Sequence, residues 1–231
     1  MNAIMEEFEI RVAEVNAFLR VLERLEDPNV VVFDRSRKRK LRILGHGSFK
    51  VMKATVFLMI YNLVESSIRS GFRTLYDRLQ SEKKAVSELR AELRKIWVQN
   101  KYQRVAKRSA TLQSYEEAAF EIVESMVSMS VAELRHDLLP ISGNLDAEKI
   151  REVCRLHGVS TKVHRQAFGG SDLVTIKRQR NALGHGDLSF ETCGQQYTVS
   201  DLNRMKKQAV VFVRGILKSL AKYINEGQYV A

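Results

Sequence analysis

The sequence predicts an all-α protein, and three observations carry that prediction. Apolar residues recur at helical spacing over long stretches. The 231 residues include only two prolines, so long helices can run almost anywhere without losing a backbone donor. No series of alternating strands punctuated by turn residues appears.

The elements follow in order. Over residues 5–25, Phe8, Val12, Val15, Phe18 or Leu19, Leu22 and Leu25 form one stripe, ended by Glu26-Asp27-Pro28. The basic connection Arg35-Ser36-Arg37-Lys38-Arg39-Lys40-Leu41-Arg42 reads as a nucleic-acid contact, a solvated loop or a helix start. Short alternating pieces such as residues 30–33, or the loop around Tyr197, are long enough only to pair locally. A second long helix is expected over 48–79. Its centre, residues 57–66, is apolar nearly all round, which marks a core helix. Asn62 and Glu65 lie in that stretch and need partners, because a buried polar group is costly unless bonded. They read as braces for a neighbouring helix or helix end rather than as catalysts.

Val86, Leu89, Leu93, Ile96 and Trp97 suggest a third helix with a basic opposite face: Arg90, Arg94, Lys95, Lys101, Arg104, Lys107 and Arg108. Aromatic groups among such cations suit base stacking and phosphate holding, although core packing is the better reading for Trp97. A helix over 115–139 carries Phe120, Val123, Met126 or Val127, Val131 and Leu134, with its methionines as core filler. Residues 140–144 form a turn. A short helix over 146–157 stops at Gly158. Phe168-Gly169-Gly170-Ser171 is a further break, and Ser171 suits the N-cap of the next helix. The last helix spans about 201–226, and Thr198 with Asp201 suits a capping box of relaxed type. No solenoid-period repeat is visible. Residues 44–49 echo 183–190, but Leu41 stands where an arginine is required, so His46 reads as an ordinary loop or helix-start histidine.

Hydrophobic residues are 45% and charged residues 28% of the chain, as in an ordinary globular protein. The net charge of +11 favours a polyanionic partner such as nucleic acid over a merely solvated basic surface. Cys154 and Cys193 show no metal-ligand spacing and read as free thiols in a reducing cytoplasm. The acidic N-terminus lacks a signal pattern. The longest apolar run, residues 54–64, is too short to span a bilayer and is broken by Asn62. No membrane association is expected, and the expected location is cytoplasmic.

The most informative segment is Arg180-Asn181-Ala182-Leu183-Gly184-His185-Gly186, which follows a short amphipathic helix and precedes a polar loop. Leu173, Ile176 and Leu183 share one helical face, and Arg180 falls in the middle of that stripe. A guanidinium is almost never buried unpaired, so something anionic or a partner surface should meet it. His185 adds a group of the type that titrates near neutral pH. Five helical positions set Arg180 and His185 about 140° apart on an unbroken helix. The two therefore serve one phosphate only if the helix ends near Gly184, which can adopt a left-handed cap, or if a second protomer completes the site.

Two blocks resemble the HEPN superfamily (higher eukaryotes and prokaryotes nucleotide-binding), in its standalone MAE-type subgroup. One is Leu58-Met59-Ile60-Tyr61-Asn62-Leu63-Val64-Glu65-Ser66. The other runs from Ser142-Gly143-Asn144-Leu145-Asp146 through Ile176-Lys177-Arg178-Gln179-Arg180 and His185-Gly186-Asp187-Leu188-Ser189-Phe190 to Tyr197-Thr198. The family often has alanine where Gly184 stands. The resemblance implies a single HEPN-type domain over 1–231: a helical bundle with long antiparallel helices and a short-helix and loop insertion before the motif helix. It implies, in many members, a metal-independent endoribonuclease without cofactor, built as a homodimer with Arg-x4-His motifs facing across a cleft. Many members are toxins or effectors of toxin–antitoxin or anti-phage defence, with a partner or antitoxin protein; others are non-catalytic modules that bind RNA, nucleotide or protein.

Carried onto this chain, the resemblance makes Arg180 the holder of the scissile phosphate and His185 the general acid or base, with Asn181 orienting either. The ribose 2′-hydroxyl is then the nucleophile, RNA (tRNA included) the substrate, and a 2′,3′-cyclic phosphate with a 5′-hydroxyl the product. Lys177, Arg178, Arg94, Lys101 and Arg104 are candidate substrate-binding cations. Asn62, Glu65 and Gly184 are candidate supporting residues.

Overall fold

Helix α2 (His46–Ser81) is 36 residues long, and the other long elements of the computed structural model are arranged around it. The structure describes residues 2–27, 29–30, 32–34, 36, 39–41, 46–106, 111–141 and 143–231, with backbone alone for 2–3, 32–34, 39–41, 46 and 104–106. Among these the chain runs α1 (Asn2–Glu26), β1 (Val32–Asp34), β2 (Arg39–Leu41), α2, α3 (Ala91–Ala106), α4 (Leu112–Val127), α5 (Ala147–Leu156), α6 (Asp172–His185), α7 (Phe190–Gln195) and α8 (Val199–Asn225). Single 3₁₀ segments occur at Val86–Glu88, His136–Leu138 and Arg165–Gly170. The fold is all-α apart from one small antiparallel hairpin, in which Val32 faces Leu41 and Asp34 faces Arg39.

The core forms because α1, α2 and α8 each present a continuous apolar stripe. Phe57, Ile60, Val64, Ile68, Phe72 and Leu75 of α2 are buried, together with Phe8, Leu19 and Leu22 of α1 and Phe212, Val213, Ile216 and Leu220 of α8. Each such side chain contributes roughly 1.5–3 kcal/mol on burial. Helix α2 is long and apolar enough to cross a membrane, yet half of its most apolar stretch is buried inside the protein. Thr198 caps α8 with its hydroxyl on the Asp201 amide at 3.0 Å, and the Asp201 carboxylate accepts from the Thr198 amide at 3.0 Å. That reciprocal pair is the expected capping box.

His157 ties three elements at the centre. Its Nδ1 donates to the Val153 carbonyl at 2.7 Å, and its Nε2 accepts from the Tyr76 hydroxyl of α2 at 2.9 Å. Its own carbonyl accepts from the Tyr223 hydroxyl of α8 at 2.8 Å. Burial holds the imidazole down at about 4.

The structure corrects several sequence expectations. Residues 39–41 form β2, so the basic connection is not a helix start; 35, 37, 38 and 42 lie outside the described residues. The apolar series from Val86 to Trp97 is broken at Leu89–Arg90, where a 3₁₀ segment gives way to α3. The helix expected to reach residue 139 stops at Val127, where Ser128 returns its hydroxyl to the Glu124 carbonyl and Met129 takes φ +51°. Residues beyond it pair locally, Val131 with Ala85. Phe120, Val123, Val127 and Met129 are exposed rather than core. Ser171 is helical and makes no capping bond, because the chain enters α6 directly from the preceding 3₁₀ segment.

The segment after the motif, expected as a polar loop, instead forms α7, capped by the Ser189 hydroxyl on the Thr192 amide at 3.1 Å. It lies hard against α2: a Cβ at Gly194 would stand 1.8 Å from the Lys50 carbonyl oxygen, a distance no side chain tolerates.

Candidate active site

Helix α6 buries Leu173, Ile176, Gln179 and Leu183, and this inner face packs toward α2 and α8. Arg180 follows Ile176 by four residues and precedes Leu183 by three, so it lies on the same side of the helix as these buried residues. It is half-buried. The group that meets it is not an anion. Its guanidinium carbon lies 4.6 Å from the centre of the Tyr61 ring, a cation–π contact. Its Nη1 donates to the Gly143 carbonyl at 3.3 Å and to the Asn181 Oδ1 at 3.0 Å. Among the described residues no carboxylate pairs with it. The arginine is thus oriented by neutral groups, and its charge is left uncompensated.

The platform beneath it is built from α2 and the loop before α5. The Tyr61 hydroxyl accepts from the Leu145 amide at 3.0 Å, which fixes that loop to α2 and brings the Gly143 carbonyl to Arg180. Burial pushes the Tyr61 phenol above its ordinary value, so it stays neutral. Asn181 Nδ2 donates to Asn144 Oδ1 at 2.7 Å, a second link between the motif helix and the same loop. Asp146 caps α5 by accepting from the Lys149 amide at 2.9 Å and pairs with Lys177. Burial works to raise the Asp146 carboxyl, but the Lys149 amide and the Lys177 ammonium outweigh it and hold it below the usual range.

His185 is the last residue of α6 and is exposed; among the described residues it makes no hydrogen bond or ion pair. The helix is ended by Gly186, at φ +81°, and not by Gly184, which remains helical. The expected break between Arg180 and His185 is therefore absent. Along an unbroken α-helix the two residues are about 7.5 Å apart in rise and about 140° apart in direction. Within one chain they do not converge.

The other sequence candidates scatter. Lys177 is engaged by Asp146, while Arg178 is exposed and without a partner among the described residues. Arg94 donates to the Ser87 carbonyl at 3.2 Å, and Lys101 pairs with Glu121 beneath the Trp97 ring. Both belong to α3, which packs on α4 and α5 rather than on α6. Arg104 is on α3, with its side chain outside the described residues, as are Lys107 and Arg108. Glu65 pairs with Arg69 at 2.8 Å, and Arg69 donates to the Ile141 carbonyl at 3.1 Å, so this pair holds the loop that carries Gly143. Asn62 is exposed on α2 and needs no buried partner, contrary to expectation, because the apolar run of α2 is not buried on every side.

Sequence reasoning missed two contributors. Tyr61 lies inside the Leu58–Ser66 block, yet nothing in its local pattern distinguishes a ring under a guanidinium from core. Gln179 is buried beside Arg180; its Nε2 donates to the Tyr197 hydroxyl at 2.9 Å and its Oε1 accepts from the Cys193 thiol at 3.6 Å. Its position one residue before the arginine was the available signal. Among the described residues no three His, Cys, Asp or Glu side chains gather as a metal-holding group.

No curated protein and no solved structure matches the chain. Residues 1–229 match a family model described as HEPN_MAE_28990-like HEPN. With nearly its whole length matched and the all-α bundle in place, the chain belongs to the MAE_28990-like HEPN family.

Proposed function

We propose that this HEPN protein is a metal-independent endoribonuclease that acts as a homodimer. The observation that carries the reading is the state of Arg180: a guanidinium oriented by a tyrosine ring, a carbonyl and a neutral amide, with no carboxylate among the described residues to neutralise it. Such a group is free to take a phosphate in a bidentate fork and to stabilise charge on its oxygens during displacement. His185, exposed at the end of the same helix and without a bond among the described residues, is available for proton transfer. Because the two diverge within one chain, the phosphate on Arg180 is served by His185 of the partner subunit. The imidazole takes the proton of the ribose 2′-hydroxyl as that oxygen attacks phosphorus; the bond from phosphorus to the 5′-oxygen breaks and that oxygen takes a proton from solvent, giving a 2′,3′-cyclic phosphate and a 5′-hydroxyl. The net charge of +11 supports attraction of RNA, tRNA included. A cytoplasmic toxin or defence effector, restrained by a partner protein, fits this chemistry.

The test is incubation of the purified protein with tRNA and mixed cellular RNA in EDTA, beside Arg180→Ala and His185→Ala. Wild type is expected to release fragments with cyclic phosphate ends, and each variant to lose about 10²–10⁴-fold in rate. RNA carrying a 2′-O-methyl group at the cut nucleotide stays whole. RNA bound but left equally intact by all three proteins would favour a non-catalytic binding module instead.

A further inference from the structure

Helix α4 buries only Ala118 and Ile122, against α3 and the 3₁₀ segment Val86–Glu88. The rest of its apolar surface faces outward. Leu112 is 77% exposed, Phe120 67%, Val123 57% and Val127 75%. With Tyr115 and Met126 these side chains fall within an arc of about 140° on the helix. A contiguous exposed apolar stripe of this kind marks an interaction surface, since isolated apolar residues, not ordered stripes, are the norm on a free surface.

The charges around the stripe identify its partner. In a chain with 38 Lys and Arg, α4 carries none, yet it holds Glu116, Glu117, Glu121 and Glu124. Glu117, Glu121 and Glu124 line one margin of the stripe, and Glu116 stands among its apolar side chains. Only Glu121 meets a cation, Lys101, among the described residues. This local sign is opposite to that of the whole protein. It repels the phosphates of RNA and of anionic lipid. A second copy laid symmetrically on the same face would set glutamate against glutamate, which is destabilising.

We infer that the outer face of α4 docks a basic amphipathic helix of another protein. Its apolar side chains pack over Leu112, Phe120, Val123 and Val127, and its lysines or arginines meet the glutamates. The surface lies on a different helix from Arg180 and does not depend on the nuclease reading.

The experiment uses the full chain and two synthetic three-heptad helices with the same leucine stripe, one flanked by lysines and one by glutamates. Fluorescence anisotropy reads binding. The lysine peptide is expected to bind at least roughly tenfold tighter than the glutamate peptide. Phe120→Ser and Val123→Ser, both at exposed positions, should weaken it roughly tenfold with the melting temperature unchanged. Glu116→Lys with Glu124→Lys should reverse the preference, and Arg180→Ala should leave it unaltered. Equal binding of both peptides, or of neither, overturns the inference. So does a concentration-dependent dimer in sedimentation that Val123→Ser abolishes, which would make the occupant a second copy. Binding to phosphatidylglycerol vesicles lost in the same variant would also overturn it.

Discussion

Arg180 owes its orientation to Tyr61, and the two halves of that tyrosine can be separated. Tyr61→Phe keeps the ring under the guanidinium and loses the hydroxyl, which accepts from the buried Leu145 amide and meets Glu65, at a cost of about 1–3 kcal/mol. RNA cleavage by this variant should stay within a few-fold of wild type. Tyr61→Leu removes the ring face and should lower the cleavage rate by roughly tenfold or more, the cation–π contact being worth about 1–2 kcal/mol. Equal rates for the two variants would show that the ring does not orient the arginine. His157 supplies a second residue-scale prediction. Its imidazole is held at about 4 in the folded protein against an ordinary 6.5, so the unfolded chain binds more protons between those values. Stability is complete above pH 6.5 and falls as the pH drops toward 4, by about 2 kcal/mol between pH 7 and 5. Urea unfolding at the two pH values reads this, and His157→Gln should flatten the slope. Arg180 and His185 were legible in the sequence as an arginine in an apolar stripe and a histidine at a helix end. Tyr61 was not, because a ring that stacks on a cation and a ring that packs in a core have the same local pattern.

At the scale of elements, the end of α6 separates two glycines two residues apart. Gly184 is helical and exposed, with nothing within 4 Å of a Cβ placed there. Gly184→Ala should raise stability by about 0.5–1 kcal/mol, in thermal or urea unfolding. Gly186 holds φ +81°, so Gly186→Ala should cost about 1–2 kcal/mol despite equally open space. The opposite pair of results would place the helix stop at Gly184. Long helices were legible because α1, α2 and α8 bury one stripe each. Helix α7 was not, because six polar-rich residues show no stripe, and its burial is set by the close backbone approach of Gly194 to α2. The face of α4 was misread for a related reason. Periodicity shows that Phe120, Val123 and Val127 share a side of a helix, but not whether this chain covers that side.

For the whole molecule, the fold class and the chain's family were readable from stripes, scarce proline and the two motif blocks. The divergence of Arg180 from His185 was readable only as a choice between a broken helix and a second chain. The continuous helix to His185 removes the first option for the single chain. A dimeric site then makes a prediction that no single-chain site shares. Arg180→Ala retains both histidines of a dimer and His185→Ala both arginines, while a mixed dimer holds one of each. The most direct measurement is RNA cleavage in EDTA by the two inactive variants, apart and after exchange of subunits. Recovery of cleavage in the mixture, with cyclic phosphate ends, is the expected result. An active wild type with a mixture as inactive as either variant alone, after subunit exchange has been verified, would contradict the shared site.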